Sequence, residues 1–224
     1  MQVYIDEKSI NTKAKIGRFL FFAGLGLMVI SLLVASRTPE LINTIFIIAM
    51  FGLLGSQIGS GMMNRWSKQP RMDEIIAAAV KGMDSNFHLF QYKLGADHVL
   101  AAPTGVYVLV PEVQEGMVLY EDGKWFTLKT KRKDRKVKRK LKDLAAMIQR
   151  ETASANKKLS SVLGDSAVEA IPVVVFLHGE AIVDLENASV LCVHGKKIKP
   201  FLRRLPKAES LSEEAVEKLK ELYN

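Results

Sequence analysis

The chain has 224 residues, a formal net charge of +8, an isoelectric point near 9.5 and one cysteine. That length holds one ordinary domain plus something else, and the lone Cys192 excludes an intrachain disulfide and a cysteine-built zinc site. The positive balance favours anionic neighbours, lipid headgroups or nucleic-acid phosphates, and the sparse cysteine usage suits a reducing compartment.

Residues 1–18 read as a cytoplasmic N-terminal segment rich in lysine. A transmembrane hairpin is predicted over 19–63, with spans at 19–36 (FLFFAGLGLMVISLLVAS) and 41–63 (LINTIFIIAMFGLLGSQIGSGMM). The first covers roughly 27 Å as a helix, against a hydrocarbon layer of about 30 Å. Both spans are expected to be helical, because lipid offers the backbone no hydrogen-bond partner. RTPE at 37–40 is the tip. Gly55 with Gly59, and Ser56 with Ser60, are four apart, a spacing that lets a second helix approach closely. A secretory signal peptide is the competing reading of the first span, but its cleavage would leave the second span unpaired. Lys8, Lys13, Lys15 and Arg18 precede the hairpin, and Arg65, Lys68 and Arg71 follow it; only Arg37 marks the tip. The positive-inside rule then places both termini in the cytoplasm of a protein integral to the cell membrane.

Residues 64–71 form an interfacial linker, with Trp66 suited to the headgroup layer. A domain is expected over 72–205, with a C-terminal helix over 206–224. MDEIIAAAVKGM at 72–83 has helical apolar spacing and ends at Gly82. FHLFQYKL (87–94), DHVLAA (97–102) and GVYVLV (105–110) read as strands, and Asp122-Gly123 marks a hairpin within 116–128, giving one antiparallel meander. The later part of 129–163 is a helix. IPVVVFL (171–177) reads as a strand covered on both faces, followed by shorter runs at 181–185 and 189–194. KKIKPFLRRL is a helix interrupted by Pro200, and SEEAVEKLKELY is a second one that Ser212 can cap. The class is α/β or α+β, a mixed sheet flanked by helices.

The run ADHVLAAPTGVYVLV, the helix after it and the PVVVF strand resemble the nuclease-related domain (NERD) family, which has the PD-(D/E)xK nuclease fold. The resemblance covers roughly residues 72–205. Asp97 falls on the family's aspartate, with His98, Pro103 and Gly105 in register. The family's second acid falls on Val110 and its lysine on Glu112. Such nucleases hold Mg²⁺ between carboxylates, and the lysine orients water and offsets developing charge. Valine cannot ligate a metal, and a glutamate has the wrong sign for the lysine's task. The resemblance therefore implies a pseudoenzyme, with no cofactor expected. In the alternative, an active nuclease, Asp97 and Glu112 form a rearranged Mg²⁺ site with Glu74 as a third acid. Glu112 shares Val110's face about 7 Å further along the strand. Pro111 between them makes an edge or bulge.

Ten basic residues and one acid, Asp134, crowd the stretch 129–142. The basic positions are Lys129, Lys131, Arg132, Lys133 and Arg135, then Lys136, Lys138, Arg139, Lys140 and Lys142. Three readings stand: a solvated loop and helix start, a grip on anionic lipid, or a contact with nucleic acid. No aromatic residue for base stacking lies within the run. The four histidines, His88, His98, His178 and His194, show no metal-ligand spacing and read as satisfied strand residues. The expected function is a membrane-tethered binding or scaffold domain with nucleic acid or protein as partner. The alternatives are the Mg²⁺-dependent nuclease and a structural membrane protein that grips lipid.

Overall fold

The computed structural model describes residues 1–122, 124–131, 135–141, 143–178, 183–184, 190–206 and 209–223. At 39, 129–131, 135–136 and 183–184 it is the backbone that is described. The chain divides into two units, Asp6–Met72 and a second made of Met1–Ile5 together with Asp73–Asn224.

The first unit is a pair of long helices, α1 (Glu7–Arg37) and α2 (Ile42–Trp66), joined through a 3₁₀ turn at Pro39–Leu41. Both are long and apolar enough to cross a membrane. Their large apolar side chains point outward: Phe19 is 72% exposed, Leu32 73% and Phe46 69%. α1 starts well before the apolar stretch, because the Asp6 carboxylate caps it by accepting from the Ser9 N–H at 3.0 Å. The segment 1–18 is thus mostly helix. α2 likewise absorbs the start of the expected linker. Trp66 is buried there, with the Lys13 ammonium 4.4 Å from its ring centre.

The two helices meet on seven-residue repeats. Ile10, Gly17, Gly24 and Ser31 are buried on α1, and Ile45, Gly52, Gly59 and Trp66 on α2. A repeat of seven keeps one seam facing an antiparallel partner. The contact is between backbones: a Cβ on Gly24 would lie 2.4 Å from the Ser56 nitrogen, and one on Gly59 2.3 Å from the Phe21 nitrogen. The expected pairing of Gly55 with Gly59 is half right. Gly59 and Ser56 lie in the seam, but a Cβ on Gly55 would meet nothing closer than 3.6 Å.

The second unit is α+β. In chain order it contains β1 (Gln2–Ile5), α3 (Met72–Val80, counted from Asp73), β2 (His88–Gln91), β3 (His98–Ala102), β4 (Gly105–Glu112), β5 (Met117–Glu121), β6 (Lys124–Lys131) and β7 (Arg135–Lys140). Then follow α4 (Leu144–Leu163), β8 (Ala170–Phe176), β9 (Val183–Asp184), β10 (Leu191–His194), α5 (Ile198–Arg204) and α6 (Glu213–Glu221). A mixed sheet runs β1-β2-β3-β4-β8-β10, and a second sheet runs β7-β6-β5-β9. β2, β3 and β4 are antiparallel neighbours; β1 joins β2, β8 joins β4 and β10 joins β8 in parallel.

Several expectations are revised. The meander does not stay in one sheet: after β4 the chain leaves to build the second sheet. The described residues of the basic run are not a loop and helix start but belong to a strand pair, β6 and β7, and the helix begins only at Leu144. The first four residues after Met1 are a strand of this unit: Tyr4 stacks on Phe90 with ring centres 5.0 Å apart. α6 packs into the core, where Ala215, Val216 and Leu219 are buried. Ser212 does cap α6, accepting from the Ala215 N–H at 3.2 Å. Pro200 is accommodated because it stands in the first turn of α5, where the backbone N–H has no helical acceptor.

Two apolar layers cover the large sheet. One face carries Val99, Val108, Val110, Val174 and Phe176 and packs with α4, α6 and Trp125 of β6. The other carries Leu100, Leu109, Val173 and Val175 and packs with α3 and α5. β8 is buried on both faces, as its unbroken apolar run predicts.

Candidate functional site

Asp97 stands one residue before β3, in a bend that spans 92–97. The bend is pinned to α4. The Glu151 carboxylate accepts from the Asp97 N–H at 2.9 Å, and the Tyr92 N–H donates to the Asp97 carbonyl at 3.1 Å. Gly95 has φ of +80° and sits so close to α4 that a Cβ would lie 2.3 Å from the Ser154 carbonyl oxygen. Only glycine fits there.

A third acid converges on this bend, and it is not one of the expected partners. Asp73 on α3 is fully buried; the Tyr92 hydroxyl donates to its carboxylate at 3.2 Å, and the Gln91 side-chain amide donates to its carbonyl at 3.1 Å. Glu74 is only half-buried. The Tyr92 ring lies 5.8 Å from that of His98, itself buried on β3. Glu151 and Asp73 are the site residues that sequence reasoning missed. Glu151 follows Ile148 by three and precedes Ala155 by four, both buried, so helical spacing already put it on the inward stripe of α4.

Val110 and Glu112 lie further along the same face. β3 pairs Val99 with Val108, so continuing that register sets Asp97 beside Val110, with Glu112 about 7 Å beyond. Val110 is 1% exposed, paired with Val174 and surrounded by apolar side chains. Glu112 ends β4 opposite Phe176, and its carbonyl accepts from the Leu177 N–H at 2.9 Å. Burial raises its carboxyl pKa, and the backbone N–H groups of Val113 and Gln114 partly offset this by donating to the carboxylate. Its side chain is thus satisfied by its own loop.

Pro111 sits where its missing donor is harmless. Glu112 directs its carbonyl at β8, so Pro111 faces the other side, past the end of the β3 pairing. The expected edge or bulge is absent: β4 is an interior strand between β3 and β8, its register with β8 runs unbroken from Val106 to Glu112, and only the β3 ladder stops short, at Val108.

Val110 supplies no metal ligand beside Asp97, and Glu112 is held by its own loop; the other acids at the bend, Glu151 and Asp73, are engaged by the Asp97 N–H and the Tyr92 hydroxyl. Among the described residues, no three His, Cys, Asp or Glu side chains come together as metal ligands.

The remaining candidates lie in the second sheet. Lys138, Arg139 and Lys140 are exposed on β7. Lys129, Lys131, Arg135 and Lys136 take backbone positions on β6 and β7, while Arg132, Lys133 and Lys142 lie outside the described residues. Lys138 is ion-paired with Glu121, and its ammonium stands 4.3 Å from the centre of the Phe126 ring.

The histidines divide. His194 follows the pattern of a satisfied ring: its Nδ1 accepts from the Lys196 N–H at 3.1 Å, and its Nε2–H donates to the His178 carbonyl at 2.9 Å. His88 has its pKa lowered, first by burial and then by the nearby Lys220 and N-terminal amine. Cys192 has its thiol pushed up to about 12 by burial, which leaves it unreactive.

The chain matches no family model, no curated protein and no solved structure.

Proposed function

We propose that this chain is a membrane-anchored α+β domain of nuclease-like fold that binds its partner, nucleic acid or protein, without cutting it. Both termini lie in the cytoplasm. The observation that carries the non-catalytic reading is Val110. It occupies the strand position at which the resemblance calls for a metal-binding acid, and it is sealed in the core at 1% exposure. A carboxylate there would be needed beside Asp97 to hold Mg²⁺ against a phosphate. Further support comes from the order α3, β2-β3-β4, α4, β8, in which the last strand lies parallel to β4. The cytoplasmic placement is supported by the basic flanks of the helix pair and by the return of both its ends to one folded unit.

The test uses the full chain in detergent micelles with duplex and single-stranded DNA and RNA, plus Mg²⁺ or Mn²⁺. Salt-dependent retention of nucleic acid at full length, or retention of none, is expected. Cleavage that disappears in both Asp97→Ala and Glu112→Ala would establish the rearranged nuclease instead.

A further inference from the structure

Strand pairing sorts the second sheet into two faces. Val118, Tyr120, Trp125 and Thr127 point inward; Val118 and Trp125 lie in the core, with Tyr120 packed against it. Alternation turns the neighbouring residues the other way. There the register aligns Met117 with Leu128 and Lys138 in one cross-strand row, and Leu119 with Phe126 and Lys140 in the next. Lys124 completes the face beside Glu121. The four apolar side chains of these rows are half-buried, and among the described residues they belong to neither core. Each row thus runs from apolar side chains to an exposed lysine at the free edge of β7.

We propose that this outer face docks on an anionic bilayer surface. Apolar side chains with lysines at their margin match a headgroup layer, which offers negative charge outside and hydrocarbon beneath. Lysine is suited to the task because its aliphatic stem lies along apolar surface while its ammonium reaches a phosphate. Lys138 already lies along this face, its ammonium over the Phe126 ring and paired with the Glu121 carboxylate. The acids of the face among the described residues, Glu121 and the backbone position of Asp184, stand on β5 and β9; Glu121 engages the Lys138 ammonium, so anionic lipid would replace that partner at Lys138 and meet Lys140 at the β7 edge. That asymmetry sets which edge leads toward negative lipid. The inference rests on the membrane anchoring proposed above, because a chain held at a bilayer meets that surface at high local concentration. Duplex nucleic acid, the other polyanion, offers phosphates but no hydrocarbon for the apolar rows.

The full chain is reconstituted into nanodiscs of phosphatidylcholine alone or with about 30% phosphatidylserine, a range in which each basic contact matters. Acetylation rates of individual lysines are read by mass spectrometry. Docking predicts that Lys124, Lys138 and Lys140 react several-fold more slowly in the anionic discs, with Lys158 and Lys218 as unaffected references. High salt, or Phe126→Ser with Leu128→Ser, should abolish most of that protection. Lys138→Gln, a milder change that leaves the strands intact, should restore about a fivefold part of the Lys140 rate. Equal rates in the two discs overturn the proposal, as does protection by added duplex DNA in neutral discs without protection by phosphatidylserine. A chain that enters neither disc refutes the anchoring instead; docking is then read from co-sedimentation with vesicles of the same two compositions, and no preference for the anionic ones overturns it.

Discussion

Glu112 is where sequence and physics pull in different directions. It stands at the end of a strand whose first six residues are buried, and it brings a carboxylate to the margin of that core. Burial raises its folded-state pKa above the unfolded value. The sign of the linkage follows: its contribution to stability is complete below the unfolded carboxyl range and is lost as pH rises through the raised native value. Glu112→Gln should therefore melt at a higher temperature than the natural chain at pH 7, and the gap should close below about pH 4. Thermal unfolding of the full chain in micelles across that range reads it directly; a gap that widens on acidification would contradict the assignment. Of the candidate residues, Asp97 and Glu112 were legible from position alone. Asp73 and Glu151 were not, because their importance comes from the bend over 92–97 and the tertiary approach of α4.

Elements with a strong internal period are legible in the sequence, and short ones depend on their neighbours. The two long helices, α4, α6 and β8 announce themselves by spacing or by unbroken apolarity. β7 does not: RKVKRK has one apolar residue, so nothing in its own pattern distinguishes a strand from a solvated loop. Its pairing with β6 decides it. Basic side chains on such a free edge also discourage pairing with another chain. The helix pair supplies the sharpest test at this scale. Gly59→Ala forces a Cβ against backbone and should cost about 1–3 kcal/mol, whereas Gly26→Ala and Gly61→Ala, with nothing within 4 Å, should be silent. Thermal melts of the three variants in one detergent compare them; equal behaviour would mean that the seam lies elsewhere.

At the scale of the molecule, class was legible and connectivity was not. The composition separates a membrane-length hairpin from a charged α+β part, and the order of elements within the latter gives its mixed sheet. Nothing in QVYI signals that these four residues belong with strands that follow the hairpin, since the run is short and far away in sequence. The orientation proposed for the chain carries its own test: a phosphatase or fluorescent reporter fused after Asn224 and another before Met1 should both report the cytoplasm. Opposite reports from the two fusions would break the hairpin topology, and two external reports would reverse it.

β1 gives the molecule an order of assembly. It is synthesised before α1 and α2, yet the strand it pairs with is synthesised after both. Translation therefore delivers the first piece of the sheet early and leaves it waiting until both long helices have been made. If only one of them crossed, β1 and β2 would be stranded on opposite sides of the membrane and the edge of β2 would remain open. On the topology proposed for the chain, closure of that edge would check insertion, because the sheet could complete itself only where the hairpin has gone across and come back.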